Sequence, residues 1–135
     1  MFVALALLAA ACGSDAGTTG SADAETGQSS ITLVNPGTFA ERMEAPEVVT
    51  INVHTPDEGS LVGTDLSIPF DQIAASDKLP DDLSTPLAVY CRSGNMSADA
   101  VEDLEKLGYT DIVELEGGFN AWTDVGRPLI PSAPG

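Results

Sequence analysis

Short apolar, β-branched runs alternate along the chain with stretches whose apolar positions recur every three or four residues. Ile31-Thr32-Leu33-Val34 is the first β-like run. Asn35-Pro36-Gly37 then turns the chain. Phe39 and Met43, four apart, put one apolar edge on a short helix that Asn35 caps, Pro36 opens and Pro46 ends. Val48 to Val53 is nearly continuous in β-branched residues, as expected of a strand buried on both faces of a parallel sheet. His54 to Glu58 leaves it as a loop. Leu66-Ser67-Ile68-Pro69 reads as a third, short strand stopped by its proline, Phe70 to Ile73 as a short turn or helix, and Lys78 to Pro86 as a polar connector. Leu87 to Tyr90 is the fourth strand. From Ser97 onward Ala100, Val101, Leu104 and Leu107 recur at helical spacing, with Asp99, Glu102, Asp103, Glu105 and Lys106 outside and Gly108 as a left-handed cap. Asp111 to Leu115 is the fifth strand. Gly117-Gly118 makes a tight turn into a short helix from Phe119 to Trp122, Gly126 ends it, and Arg127-Pro128-Leu129 begins the tail. Strands alternating with helices predict one α/β domain, with a mainly parallel five-stranded sheet and helices on both faces. Ligands of such sheets bind beyond the carboxyl ends of the strands.

The front of the chain follows a different rule. Phe2 to Ala11 is apolar without interruption, the length of a signal-peptide core and too short to span a bilayer. Cys12 follows, and residues 13–30 contain no Leu, Ile, Val, Phe or Tyr. This order resembles a bacterial lipoprotein signal, in which the cysteine becomes the lipidated first residue. The expected organisation is a signal segment over 1–12 ending at the lipidation candidate Cys12, a flexible linker over 13–30, the domain over 31–130 and a tail over 131–135. The expected place is the extracytoplasmic face of a bacterial cell membrane, held by the lipid.

Charge narrows the partners. Of 21 acidic and 5 basic residues, three acids (Asp15, Asp23, Glu25) precede Ile31, so the domain carries 18 acids against all 5 bases. Nothing in that balance neutralises a run of phosphates, which excludes nucleic acid as a partner. The one His and two Cys do not make a zinc site, so no metal and no cofactor is expected. With Cys12 lipidated, Cys91 is the sole remaining thiol and has no disulfide partner.

Cys91 is where the chemistry concentrates. It ends the run Leu87-Ala88-Val89-Tyr90 and precedes Arg92-Ser93-Gly94-Asn95-Met96-Ser97, a polar loop that enters a helix. A thiol facing the first turn of a helix meets converging backbone N–H groups and the positive end of the helix dipole, which favour thiolate. Amides of residues 92 to 97 turned inward would form an anion-binding nest, Gly94 allowing the turn and Arg92 adding charge. His54 is a candidate proton carrier beside the pocket. His54, Asp57 and Trp122 are candidate pocket or supporting residues, although Trp122 fits core packing better.

Four segments of this sequence resemble the rhodanese-like (sulfurtransferase) family. Cys91-Arg92-Ser93-Gly94-Asn95 resembles the opening of its active-site loop. Asn52-Val53-His54-Thr55-Pro56-Asp57-Glu58 resembles its Asp-Val-Arg-x-Pro-x-Glu segment, and Ile68-Pro69 its Asn-Ile-Pro turn. Gly117-Gly118-Phe119-Asn120-Ala121-Trp122 with Gly126-Arg127-Pro128 resembles its Gly-Gly-x-x-Ala-Trp...Gly-x-Pro signature. The resemblance implies that Cys91 accepts a sulfane sulfur from a small sulfur-containing anion or persulfide donor. Cys91 then passes the sulfur, as a persulfide, to a thiophilic acceptor such as a protein thiol. The family commonly has Arg where Met96 stands, and a methionine holds no anion, so reduced activity on thiosulfate is expected. Related phosphatases place Arg where Ser97 stands, which disfavours phosphatase chemistry. The alternative is a non-catalytic rhodanese-like module that binds a partner or senses redox state.

Overall fold

The computed structural model describes residues 29–132. The elements run β1 (Ser30–Val34), α1 (Pro36–Met43), β2 (Val49–Asn52), β3 (Ser60–Leu61), β4 (Leu66–Ser67), a 3-10 helix (Phe70–Ala75), β5 (Leu87–Tyr90), α2 (Asn95–Leu107), β6 (Asp111–Leu115), α3 (Gly118–Asp124) and β7 (Leu129–Ile130). The five expected strands form one sheet in the order β1-β6-β5-β2-β4, and every neighbouring pair is parallel. Cys12 and the expected signal segment lie outside the described residues.

Alternation along the strands divides the core. Leu87, Val89 and Cys91 face α2 and the 3-10 helix, packing with Ile51, Val53, Ile73, Ala100, Leu104 and Ile112. Ala88 and Tyr90 face α1 and α3, packing with Phe39, Leu115, Phe119 and Trp122. All four residues of β5 are buried, as required of a central strand covered on both sides. The Asn35 side chain accepts the Thr38 N–H at 2.9 Å and so caps α1, and Gly108 closes α2 with φ +108°. Arg42 of α1 pairs with Asp111 at the start of β6.

The structure departs from the sequence pattern in two places. The helix after Cys91 starts at Asn95, two residues before Ser97, because Gly94 takes a left-handed φ of +109° and finishes the loop early. Leu129, expected to open the tail, instead belongs to β7, which pairs antiparallel with β3. Two-residue strands carry no readable periodicity, and this pairing depends on a contact between distant segments. At Gly59 (φ +115°) an added Cβ would stand 2.9 Å from the Ile130 carbonyl oxygen, so the approach needs glycine.

Candidate active site

Cys91 follows β5 directly, and its side chain is 1% exposed at the edge of the aliphatic layer. The Gly94 N–H donates to Cys91 Sγ at 3.0 Å. Among residues 92 to 97, expected together as a nest, this is the amide hydrogen-bonded to sulfur. The Cys91 thiol donates in turn to Ser97 Oγ at 3.5 Å. Ser97, fully buried in the first turn of α2, lies 2.6 Å from Glu114 Oε1 and 3.2 Å from the Gly94 carbonyl. A hydroxyl has one proton to give. The shorter contact, to a carboxylate, holds it. Glu114 projects from β6 on the face of Ile112, and burial raises its carboxyl above the usual range against the opposing pull of the Ser97 hydroxyl.

The loop around Cys91 is held from outside by the start of α3. The Phe119 N–H donates to the Cys91 carbonyl at 2.9 Å and the Asn120 N–H to the Arg92 carbonyl at 3.0 Å. Gly118 permits this approach: with φ +60°, an added Cβ would fall 2.3 Å from the carbonyl atoms of Arg92. The glycine pair therefore does more than turn the chain.

Arg92 does not bring a free positive charge to the sulfur. Its guanidinium is half exposed and donates to Glu58 Oε1 at 3.1 Å. The other Glu58 oxygen bonds His54 Nε2. The hydrogen bond from His54, joined by the charge of Arg92, lowers the Glu58 carboxyl below its usual value. The His54 side chain is 7% exposed, meets the Phe119 ring edge-on at 5.5 Å, and has no partner at Nδ1. Its backbone N–H donates to Asn52 Oδ1, and Asn52 Nδ2 donates to the Gly59 carbonyl, both at 3.0 Å. The neutral Asn52 thus folds the His54–Gly59 loop with a hydrogen bond at each end.

The remaining expected site residues are dispersed. Ser93 and Asn95 are exposed, and Met96 is partly buried against the aliphatic layer. Asp57 accepts the Gly59 N–H at 3.0 Å and the Ser132 hydroxyl at 3.1 Å, bracing its loop against the end of the described chain. It also lines, with Asn52, His54, Thr55, Ser60 and Ser67, a cavity of about 190 Å³. Trp122 lies on the other side of the sheet from Cys91, where it lines a separate groove with Met43, Val62 and Arg127. It is buried in the opposite layer against Phe39, donates its indole N–H to the Pro128 carbonyl at 3.1 Å, and carries Arg127 over its face. Sequence reasoning missed Glu114; the available signal was a carboxylate two residues from Ile112, on the same inward face of its strand. Among the described residues no three His, Cys, Asp or Glu side chains gather in a way that could hold a metal.

Comparison with known proteins agrees with this geometry. Residues 35–125 match the sequence profile of the rhodanese-like domain. An uncharacterised protein of Synechocystis sp. is 30% identical over 105 residues, covering 76% of this chain and 58% of its own length. The chain therefore spans little more than half of that relative. A thiosulfate sulfurtransferase, GlpE, of Pseudomonas fluorescens is 31% identical over 88 residues, covering 64% of this chain and 81% of its own. Among solved structures, a rhodanese-related protein from Thermoplasma volcanium superposes with a TM-score of 0.62 at 30% identity, covering 73% of this chain and 97% of that one. The parallel sheet, the cysteine at the end of its central strand and the matched span together place this chain in the rhodanese-like domain family.

Proposed function

We propose that the protein is a sulfurtransferase in which Cys91 carries sulfur as a persulfide. The Gly94 N–H on Cys91 Sγ carries the reading, because a positioned amide stabilises an anionic sulfur. Deprotonated Cys91 attacks the outer sulfur of a sulfane donor. The donor's S–S bond breaks, a Cys91 S–S bond forms, and the leaving group departs with the electron pair: sulfite from thiosulfate, a sulfinate from a thiosulfonate. An acceptor thiolate then attacks the outer persulfide sulfur and regenerates the Cys91 thiolate. Arg92 is paired with Glu58 and Met96 offers no donor, so thiosulfate is held mainly by backbone and the activity on it is low. A lipid at Cys12 anchors the protein on the extracytoplasmic side of a bacterial membrane. Radiolabelled fatty acid incorporated by the wild type and not by Cys12→Ser is the expected result.

Intact-mass measurement after incubation with thiosulfate or an aryl thiosulfonate tests the reaction. Wild type gains one sulfur atom and loses it to cyanide as thiocyanate; Cys91→Ser gains none. Wild type unmodified by either donor overturns the reading. The paired Arg92 and the unhelpful Met96 favour a second reading, a non-catalytic module that binds a partner or senses redox state. It predicts no turnover, with the partner still retained by Cys91→Ser.

A further inference from the structure

The hydrogen bonds beneath Cys91 form a line that runs away from the loop: Cys91 thiol to Ser97 oxygen, Ser97 hydroxyl to Glu114 carboxylate. We propose that Glu114, acting through Ser97, is a positioning residue that decides whether the Cys91 sulfur is held as a neutral thiol or as an anion. This rests on Cys91 being the reacting sulfur and adds the device that regulates it.

The direction of each proton sets which charge the sulfur can hold. While Glu114 is ionised it takes the Ser97 proton, so Ser97 turns a lone pair toward sulfur. That lone pair accepts an S–H and repels a thiolate or persulfide anion. The negative carboxylate, two hydrogen bonds away in a poorly solvated layer, repels the anion further. Protonation of Glu114 reverses the line. The carboxyl O–H donates to Ser97, and the Ser97 hydroxyl is released to donate to sulfur. The proton leaving Cys91 can reach Glu114 by the same path, each oxygen passing one proton on, so no other acceptor is needed. Burial, which favours the neutral carboxyl, brings this arrangement within reach.

Few other charges compete on this face. In β6, Asp111 points to the opposite layer and pairs with Arg42 of α1. β1 contains no titratable side chain, Tyr90 of β5 faces the other layer, Tyr109 in this layer donates its hydroxyl to the Pro80 carbonyl, and Asp71 of the 3-10 helix is exposed. On α2, Glu102 and Asp103 lie near Lys106 on the outer side, and Asp99 and Glu105 are exposed. Beyond the loop, Arg92, Glu58 and His54 are tied to one another. The amide of Gly94 and the Ser97–Glu114 pair therefore act on the charge of the sulfur in opposite senses.

The test is the ultraviolet thiolate titration of the full chain, read as a difference from Cys91→Ser. Glu114→Gln mimics the protonated carboxyl, and it should lower the midpoint for Cys91 by about one pH unit. In a Ser97→Ala background the same substitution should shift the midpoint much less, because the intermediary is gone. Equal midpoints in wild type and Glu114→Gln, or an equal shift with and without Ser97, overturn the proposal. Donor charge supplies a second readout. Glu114→Gln should speed sulfur loading from dianionic thiosulfate more than from a monoanionic aryl thiosulfonate, and equal effects on both count against the coupling. If wild type accepts sulfur from neither donor, sulfur transfer fails as a function, while the titration still decides whether Glu114 governs Cys91.

Discussion

The two layers of the core are built by opposite means. Under α1 and α3 the packing is aromatic: Phe39 meets Tyr90 and Trp122 edge-on, at 6.1 and 6.4 Å between ring centres. The polar tips of that layer are spent on structure. Tyr90 Oη accepts the Leu61 N–H at 3.0 Å and bonds Thr64 at 2.7 Å, fastening the β3 segment, and Trp122 fastens the chain at Pro128. Under α2 the packing is mainly aliphatic, with Tyr109 and Phe70 among its members, and a thread of polar groups from Cys91 through Ser97 to Glu114 passes through it. Tyr90 and Cys91 are neighbours in sequence and both buried, yet pleating sends one to each layer. The polar atoms of one layer fasten neighbouring segments, and those of the other lead from a buried thiol to a carboxylate.

Substitutions should separate the two layers. Phe39→Ala removes a fully buried ring, and should cost about 3–5 kcal/mol in urea denaturation while leaving the Cys91 titration of the folded protein unchanged. Gly118→Ala strikes where the layers meet. Its added carbon collides with the Arg92 carbonyl, so a loss of about 3 kcal/mol is expected together with slower sulfur loading. A smaller loss, about 1–2 kcal/mol without change in loading, is expected from Tyr90→Phe, which leaves the buried Leu61 N–H without its acceptor.

The carboxylates sharpen the comparison through pH. Glu114 has a raised folded-state pKa, so its contribution is fully present below the unfolded value of 4.5 and is lost as pH rises through the folded value. Glu114→Gln should therefore be at least as stable as wild type at neutral pH by thermal melting, with the advantage shrinking in acid. Glu58 behaves in the opposite sense. Its lowered pKa gives a contribution present above 4.5 and lost as pH falls through the folded value. Glu58→Gln should slightly flatten the acid side of the stability curve. By releasing Arg92 it should also modestly raise loading from thiosulfate, measured by mass.

The parallel sheet was legible in the sequence because each of its principal strands is a run of apolar, β-branched residues and each helix repeats its apolar positions. The loop of Cys91 was legible for a related reason, as a strand running into a glycine-bearing polar segment and then a helical pattern. The pairing of β3 with β7 was not, since two residues carry no period. The fate of Arg92 was not legible either. Its positive charge could have served the sulfur, and only folding brought Glu58, 34 residues away in sequence, against it.

Composition, periodicity and the placing of glycines and prolines by themselves determined the order of elements, the α/β class and the position of Cys91 at a strand end, because each is a local property of the chain. Tertiary structure alone decided that Trp122 meets the Phe39 ring edge-on and that Gly118 admits α3 to the cysteine loop. It also decided that Glu114 reaches Cys91 through Ser97. These are contacts between segments far apart in sequence, and the distance between two side chains is set by how the layers pack, which no stretch of residues encodes in isolation.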